Sequence, residues 1–567
     1  MSARRPEKVS RGGDVWVAGS RQTGQHLLVC AALALLAGCS SSNTTEPDSG
    51  TPDSGTDAGI TPNTQGWWRD KVFYEIFVRS FADSNGDGIG DLSGLTAHLD
   101  ALNDGDAGTG DDLEVDAVWL MPIHPSPSYH GYDVLDYRGV NSQYGTVQDL
   151  DAFVAAAHRR GVKVIIDMVL NHSARQHPWF INSQSGADAE KRNWYVWRPD
   201  DPGWLQPFGS GHTWWNLNGA YYYGVFTSGM PDLNLTNAAV EDELVDTMKF
   251  WLARGIDGFR LDAVRYFIEN AADAGQADQP ETHAFLKRIR AKLQAQYPDA
   301  LLVAEAWTVQ DIALTYYGDG DEVQLGFAFD LADAIKTAVV AGDASNIVNT
   351  LTRTDELLAG KDRGYDAPFL SNHDQPRVMR VLGNDAAAAR VAAAVLFAVP
   401  GTPFVYYGEE LGMQGGAGAD DRNKRTPYPW DGGTGHGFTT GVPWVNVPEA
   451  PGVDLETERA DPGSLFHLYR TLIALRHGQT PLSKGSVTRP ALSGAPASVM
   501  ALLREDSGKR VLFVANVGTT DSGAFSVQVS GAPSVLLQEG LDGTPTVGSG
   551  SLAVPGLGSR GFVFLSL

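Results

Sequence analysis

From Trp67 onward the chain repeats one alternation, a short apolar run followed by a helix-length amphipathic segment. The apolar runs fall at 72–77, 117–120, 162–167, 258–262, 301–305, 326–329, 368–372 and 404–407. Short continuous apolar runs are the pattern of strands buried on both faces, as parallel sheets require. Several of the intervening segments are clear helices. Thr146 to Asp149 spells a capping box, and Leu150, Phe153, Val154 and Ala157 then recur at helical spacing until Gly161. Val240, Leu244, Met248 and Trp251 share one face of a second helix, over 237–254, which Gly255 stops. Eight buried strands alternating with helices read as a parallel (β/α)8 TIM barrel. Active sites of that architecture sit at the C-terminal ends of the strands. The polar residues ending the runs are Asp167, Asp262, Glu305 and Asp374, with Asn171, His172 and His373 beside them.

Three segments break the alternation. The gap between the third and fourth strands is too long for one helix, so 171–230 is read as an inserted subdomain. It is dense in rings, among them Trp179, Trp194, Trp197, Trp204, Trp214, Trp215 and Tyr221 to Tyr223. Most of these are expected to pack the subdomain itself, and a few could serve as platforms for sugar faces. After about Pro481 the helical pattern gives way to short strands with Gly, Pro and Ser turns, which reads as a C-terminal all-β sandwich over 481–567. The barrel then comprises 67–170 and 231–480.

The third segment is the N-terminus. A basic region with Arg4, Arg5, Lys8, Arg11 and Arg21 precedes a short apolar run over 26–36, too short to span a bilayer and suited to a signal peptide over 1–38. It ends in Leu36-Ala37-Gly38-Cys39, which resembles a bacterial lipobox cut before a lipidated Cys39; an ordinary secretory signal with a chance cysteine is the other reading. Residues 39–66 are rich in Ser, Thr, Pro, Gly and Asp and are expected to be a solvated tether. The expected location is the cell envelope, exported and lipid-anchored, at the outer membrane if the host has one. Both cysteines, Cys30 and Cys39, lie in this region, so the remainder can form no disulfide.

The chemistry centres on Gly255 to Tyr266, GIDGFRLDAVRY. Arg260 and Asp262 are two apart on a strand and therefore share a face. A cation beside a carboxylate favours its charged form, which a carboxylate nucleophile needs; a structural Arg–Asp pair in a core strand is the other reading. A second feature is Asp83-Ser-Asn85-Gly-Asp87-Gly-Ile89-Gly-Asp91. Asp83, Asn85, Asp87 and Asp91 supply side-chain oxygens at alternating positions and Ile89 a carbonyl, a pattern for a hard cation such as Ca²⁺. Gly94 stands where an EF-hand has its glutamate, so this is no EF-hand, and a turn that holds no metal is the alternative.

Together these segments resemble glycoside hydrolase family 13, the α-amylase family, from Trp67 to the C-terminus. Asp167 to His172 resembles its first conserved region, GFRLD its second, Glu305 in LLVAE its acid/base, and Ser371 to Asp374 its NHD region. Ala117 to Pro122 and Gly401 to Glu410 match two further stretches in the same order. The resemblance implies Asp262 as nucleophile, Glu305 as general acid/base and Asp374 as the third carboxylate. It also implies substrate contacts from Tyr132, Asp133, His172, Arg260, His373 and Arg425. The Asp83–Asp91 stretch resembles the family's calcium loop, and Asn171 a ligand of a second calcium site.

Glycosidic cleavage needs one ionised and one protonated carboxyl group, about 5 Å apart in retaining enzymes. Asp262 and Glu305, on adjacent strand ends, could meet that spacing. Met230-Pro-Asp-Leu-Asn234 resembles the group intermediate between oligo-1,6-glucosidases and neopullulanases, with the 104–113 insertion in support. Endo-hydrolysis of α-1,4-glucan is therefore expected. The rival expectations are a transglycosylating or oligosaccharide-specific relative (4-α-glucanotransferase, cyclomaltodextrinase or neopullulanase, α-glucosidase, trehalose synthase) and, more remotely, a non-catalytic glucan-binding lipoprotein. Arg265-Tyr266 stands where common α-amylases have Lys-His, so the family's contacts on the acceptor side do not carry over to this chain. The 14 tryptophans suit sugar ligands. The net charge of −25 disfavours nucleic acid and anionic membrane surfaces. The expected partner is an α-glucan, with the membrane reached only through the lipid, and the expected state is a monomer.

Overall fold

The computed structural model describes residues 66–359 and 365–567. The expected signal peptide, most of the tether and Cys39 lie outside them. Three strands open the fold: β1 (Phe73–Ile76), β2 (Ala117–Leu120) and β3 (Lys163–Met168). An insertion follows, with β4 (Trp197–Arg198), β5 (Trp214–Leu217) and β6 (Ala220–Tyr223) in a small antiparallel sheet of order β4-β6-β5. Five more strands continue the barrel: β7 (Gly258–Leu261), β8 (Leu301–Ala304), β9 (Leu325–Phe327), β10 (Tyr365–Ala367) and β11 (Phe404–Tyr406).

The eight barrel strands are parallel, in the order β10-β9-β8-β7-β3-β2-β1-β11. The two ends of that sheet meet through main-chain bonds, Thr402 N–H to the Asp366 carbonyl at 2.8 Å and Phe404 N–H to the Pro368 carbonyl at 2.9 Å. The protein is therefore a (β/α)8 barrel. Its interior is filled by Phe73, Trp119, Ile165, Leu301, Val303, Leu325, Phe327 and Phe404, all buried. Phe73 and Phe404 stack across the β1–β11 junction with ring centroids 4.5 Å apart.

The helices follow their sequence signals. The capping box at Thr146 and Asp149 is formed and opens the helix Val147–Arg159. Asn237 caps Ala238–Leu252, whose Val240, Leu244, Met248 and Trp251 are buried against the barrel. Gly255 then takes φ +97°, open to glycine at little cost, and turns the chain into β7.

One strand lies elsewhere than expected. The run at 368–372 is apolar because Phe369 and Leu370 are buried, not because it is a strand. The seventh barrel strand is β10, just before it, and Pro368 starts the loop that carries Asn372, His373 and Asp374. Proline lacks the N–H that a central strand must donate.

After the helix Thr480–Lys484 the chain forms two antiparallel sheets. These use β12 (Ser486–Thr488), β13 (Leu492–Ser493), β14 (Val499–Asp506), β15 (Lys509–Asn516), β16 (Phe525–Val527), β17 (Ser534–Leu541), β18 (Thr546–Val547), β19 (Leu552–Val554) and β20 (Leu557–Ser566). The five-stranded sheet runs β12-β14-β15-β20-β17 and the four-stranded one β13-β16-β19-β18. Val499, Leu512, Val514, Phe525, Val554 and Val563 pack between them.

Candidate active site

Strand parity decides what faces the barrel interior. Leu301 and Val303 of β8 point in, and Glu305, the next in step, follows them. Phe73 and Ile165 point in, so Glu75 and Asp167 do too. The same step of two carries Arg260 and Asp262 inward from β7. The acids thus rise from the packed hydrophobic interior at its C-terminal end.

Arg260, 1% exposed, joins them. Its Nη1 donates to Asp262 Oδ1 at 2.7 Å and to Asp167 Oδ1 at 2.9 Å, while its Nη2 lies 2.9 Å from Glu305 Oε2. Asp262 and Glu305 therefore bracket a single guanidinium. That arrangement is compatible with the separation of about 5 Å that a double displacement needs. Burial pushes the Glu305 carboxyl up to about 7; the charges of Asp262 and Asp374 add to this, and Arg260 opposes it. The Ala263 N–H also reaches Glu305 Oε2, at 3.0 Å, because Ala263 adopts φ +52° directly after Asp262. A non-glycine residue holds that conformation only at a cost.

Asp374 behaves oppositely. Burial would raise its carboxyl, but His373 and Arg425 hold it well below the usual carboxylate range. His373 Nε2 lies 3.2 Å from Asp374 Oδ2, and Arg425 Nη2 donates to Asp374 Oδ1 at 2.7 Å. On its other side His373 Nδ1 meets Glu75 Oε1 at 2.6 Å. Burial would strip its proton, yet the two carboxylates raise the imidazole to about 9. The charged ring then donates at both nitrogens. Nε2 is also 2.6 Å from the Tyr132 hydroxyl, which donates onward to Asp167 Oδ2 at 3.2 Å.

These groups floor a cavity of about 660 Å³. Of the residues expected from sequence, Tyr132, His172, Asp262, Glu305, Asp374 and Arg425 line it. Arg260 and His373 lie beneath, fully buried. Asp133 does not line it. Its Oδ1 accepts from the Ser126 and Ser128 hydroxyls and stands 4.0 Å from His130, so it braces the neighbouring loop instead. His130, Phe208 and Phe226 line the cavity without having been anticipated. Glu75 belongs to the same floor, and its one sequence signal is that it is a lone acid in the apolar run 72–77. The tryptophans of the insertion stay out of the cavity and pack among themselves, as in the Trp204–Trp214–Tyr223 group.

Arg265 forks onto Asp278, with Nη2 to Oδ2 at 2.6 Å and Nε to Oδ1 at 3.0 Å, and its Nη1 donates to the Trp307 carbonyl at 2.9 Å. Trp307 is 45% exposed and stacks on Phe329 at 4.9 Å. Trp307 and Asp374 also line a second groove, of about 490 Å³, floored by Lys336, Thr337, Val340 and Gln375.

The Asp83–Asp91 loop offers only hard oxygen donors, which suits Ca²⁺ chemically. Asp83 accepts from the N–H groups of Asn85, Gly86 and Gly88, and Asp87 from that of Ile89. Asp91 accepts from Ser84 and caps the helix Leu92–Ala97. Among the described residues no three acidic, His or Cys side chains converge as a ligand set. Asn171 is buried; its Nδ2 donates to Asp232 at 3.0 Å and its Oδ1 has no hydrogen-bond partner, a donor left for a cation.

Comparison with known proteins gives concordant matches. The family description "Alpha amylase, catalytic domain" matches residues 75–485. The chain is 35% identical to Alpha-amylase 3 of Dictyoglomus thermophilum over 459 residues, covering 80% of this chain and 86% of that protein. It is 33% identical to an oligo-1,6-glucosidase of Parageobacillus thermoglucosidasius over 480 residues, covering 72% and 83%. The crystal structure of an alpha-amylase from H. orenii superposes with a TM-score of 0.78 at 35% identity, covering 88% of this chain and 99% of that one.

Proposed function

The chain belongs to the alpha-amylase catalytic-domain family of glycoside hydrolases, and on that premise we propose that it is a retaining endo-hydrolase of α-1,4-glucosidic bonds in starch- and glycogen-type glucans. The observation that carries the endo reading is a second groove adjoining the catalytic cavity. The two share Trp307 and Asp374, so a chain lying over the carboxylates has room to continue past them. An exo-enzyme needs a pocket closed at one end.

The chemistry follows from the site. Glu305, with its carboxyl raised by burial, gives its proton to the glycosidic oxygen as that bond breaks. Asp262 attacks the anomeric carbon and forms the glycosyl ester. Glu305, now a carboxylate, takes a proton from water, which releases the sugar with its anomeric configuration retained. Asp374, kept anionic by His373 and Arg425, accepts hydroxyl hydrogen bonds from the sugar. Exposed Trp307, next to the acid, offers a ring face to the leaving part of the chain.

The proposal extends to Ca²⁺ at the Asp83–Asp91 loop and at Asn171, and to a lipid anchor at Cys39. The donor chemistry supports the first and the lipobox the second. The test of the activity is a digestion of soluble starch and maltoheptaose, with products resolved by length and anomer. Early mid-length α-anomers are expected. Glucose or trehalose alone, or products longer than the substrate, would sink the endo-hydrolase.

A further inference from the structure

The loop between Asn103 and Val115 leads into the N-terminal end of β2, on the face of the barrel opposite the catalytic carboxylates. Its base is tied shut. Asn103 Nδ2 donates to the Val115 carbonyl at 2.9 Å, and the Val115 N–H to the Leu102 carbonyl at 3.1 Å. The loop carries Asp104, Asp106, Asp111 and Asp112 and no basic residue.

Asp112 is 1% exposed. Its Oδ2 accepts the Asp104 N–H at 2.6 Å. Its Oδ1 is fully buried and has no hydrogen-bond partner, although the Glu114 N–H faces the group. A buried carboxylate oxygen left unsatisfied is costly. The charges closest to it make this worse. The Asp104 carboxylate lies within hydrogen-bonding range, and Glu114 is also near. The arginines beside the loop pair with carboxylates other than Asp112. Arg160, packed on Gly105, pairs with Asp100, and Arg470, packed on Gly110, pairs with Glu114 at 3.3 Å. Burial first, then the two acids, push the Asp112 carboxyl up, with the N–H groups of Asp104 and Glu114 opposing.

We propose that this loop binds a hard divalent cation of calcium size between Asp112 Oδ1 and the carboxylate of Asp104. The cation gives the orphaned oxygen its partner and cancels the repulsion of two adjacent carboxylates. The Thr109 hydroxyl, which donates to Asp104 Oδ2 at 2.7 Å, lies beside the same group as a further oxygen. Main-chain carbonyls and water complete the shell. Gly105 and Gly110, at φ +86° and +84°, let the backbone fold around it. With two carboxylates rather than the four of a tight site, the dissociation constant falls at the weak end, about 10⁻⁴–10⁻³ M. The competing occupant is a proton shared by the two acids.

The experiment is equilibrium dialysis of the full chain against calcium alone, with thermal unfolding in parallel. It compares the native protein with D104N, D112N and D87N, the last altering the loop at 83–91. D104N and D112N should each bind one calcium fewer than the native protein, and D87N should not cancel that difference. D112N should melt in calcium-free buffer no lower than the native protein, since an amide at that place carries no charge to bury. Its melting temperature should then gain less on adding calcium. Equal calcium stoichiometry in the native protein, D104N and D112N overturns the proposal. A D112N melting gain with unchanged stoichiometry assigns the site to a shared proton instead. D104N carries the count if D112N fails to fold.

Discussion

Glu305 is the residue on which the proposed chemistry turns, and its environment fixes how activity should depend on pH. The protonated carboxyl is the working acid. Burial and the charges of Asp262 and Asp374 bring its titration to about 7, so turnover should fall as pH rises through that value. E305Q should lower kcat by about 10³-fold, the order of general acid catalysis, and remove that alkaline limb, with KM little changed. Full turnover in E305Q, or an unchanged pH profile, would exclude the assignment. Asp167, Asp262 and Glu305 are legible in the sequence because they end apolar runs in steps of two, whereas Asp374 lies in the loop after β10 and shows only through the Ser371–Asp374 motif. Glu75 sits inside the run 72–77 rather than at its end, so that rule passes over it, and its task depends on His373, which comes from the loop after β10, two strands away around the closed barrel. Asp133 shows the converse case. Sharing a motif with Tyr132 does not fix the direction of its side chain, and Ser126 and Ser128 turn it away.

At the level of elements, helix ends are legible in the sequence and strand limits less so. The capping box over Thr146 and Asp149 is exposed, with the Thr146 N–H donating to Asp149 Oδ2 at 2.8 Å and the Thr146 hydroxyl accepting from the Asp149 N–H at 3.3 Å. T146A should cost about 1 kcal/mol in urea unfolding and leave activity at 25 °C unchanged. A loss of activity matching the loss of stability would mean that the helix Val147–Arg159 reaches the site, which the packing does not suggest. The displaced seventh strand has a plain cause. Apolarity reports burial, and in the loop after β10 Phe369 and Leu370 are buried without pairing as a strand. The short strands β12, β13, β18 and β19 carry no sequence signal of their own, because two or three residues give no period to detect.

At the scale of the whole molecule, the C-terminal sheets are fastened to the barrel by buried polar contacts that composition could not reveal. Arg504 of β14 is fully buried, and its Nη1 donates to the Ala398 carbonyl at 2.9 Å and its Nη2 to the Gly485 carbonyl at 3.0 Å. R504A would strand those carbonyls and open a void, so it should lower stability by about 3 kcal/mol with a single unfolding transition shared by barrel and sheets. Two separated transitions in the native protein would refute that coupling. The catalytic floor has its own global consequence. Asp167, Asp262, Glu305, Asp374 and Glu75 meet Arg260, Arg425 and His373, so acids outnumber cations where a neutral sugar must sit. The cleft is thus complementary to a positive ligand rather than to its own substrate. A sugar-sized protonated amine should compete better than the uncharged sugar, and that advantage should shrink in acid as Glu305 takes up its proton.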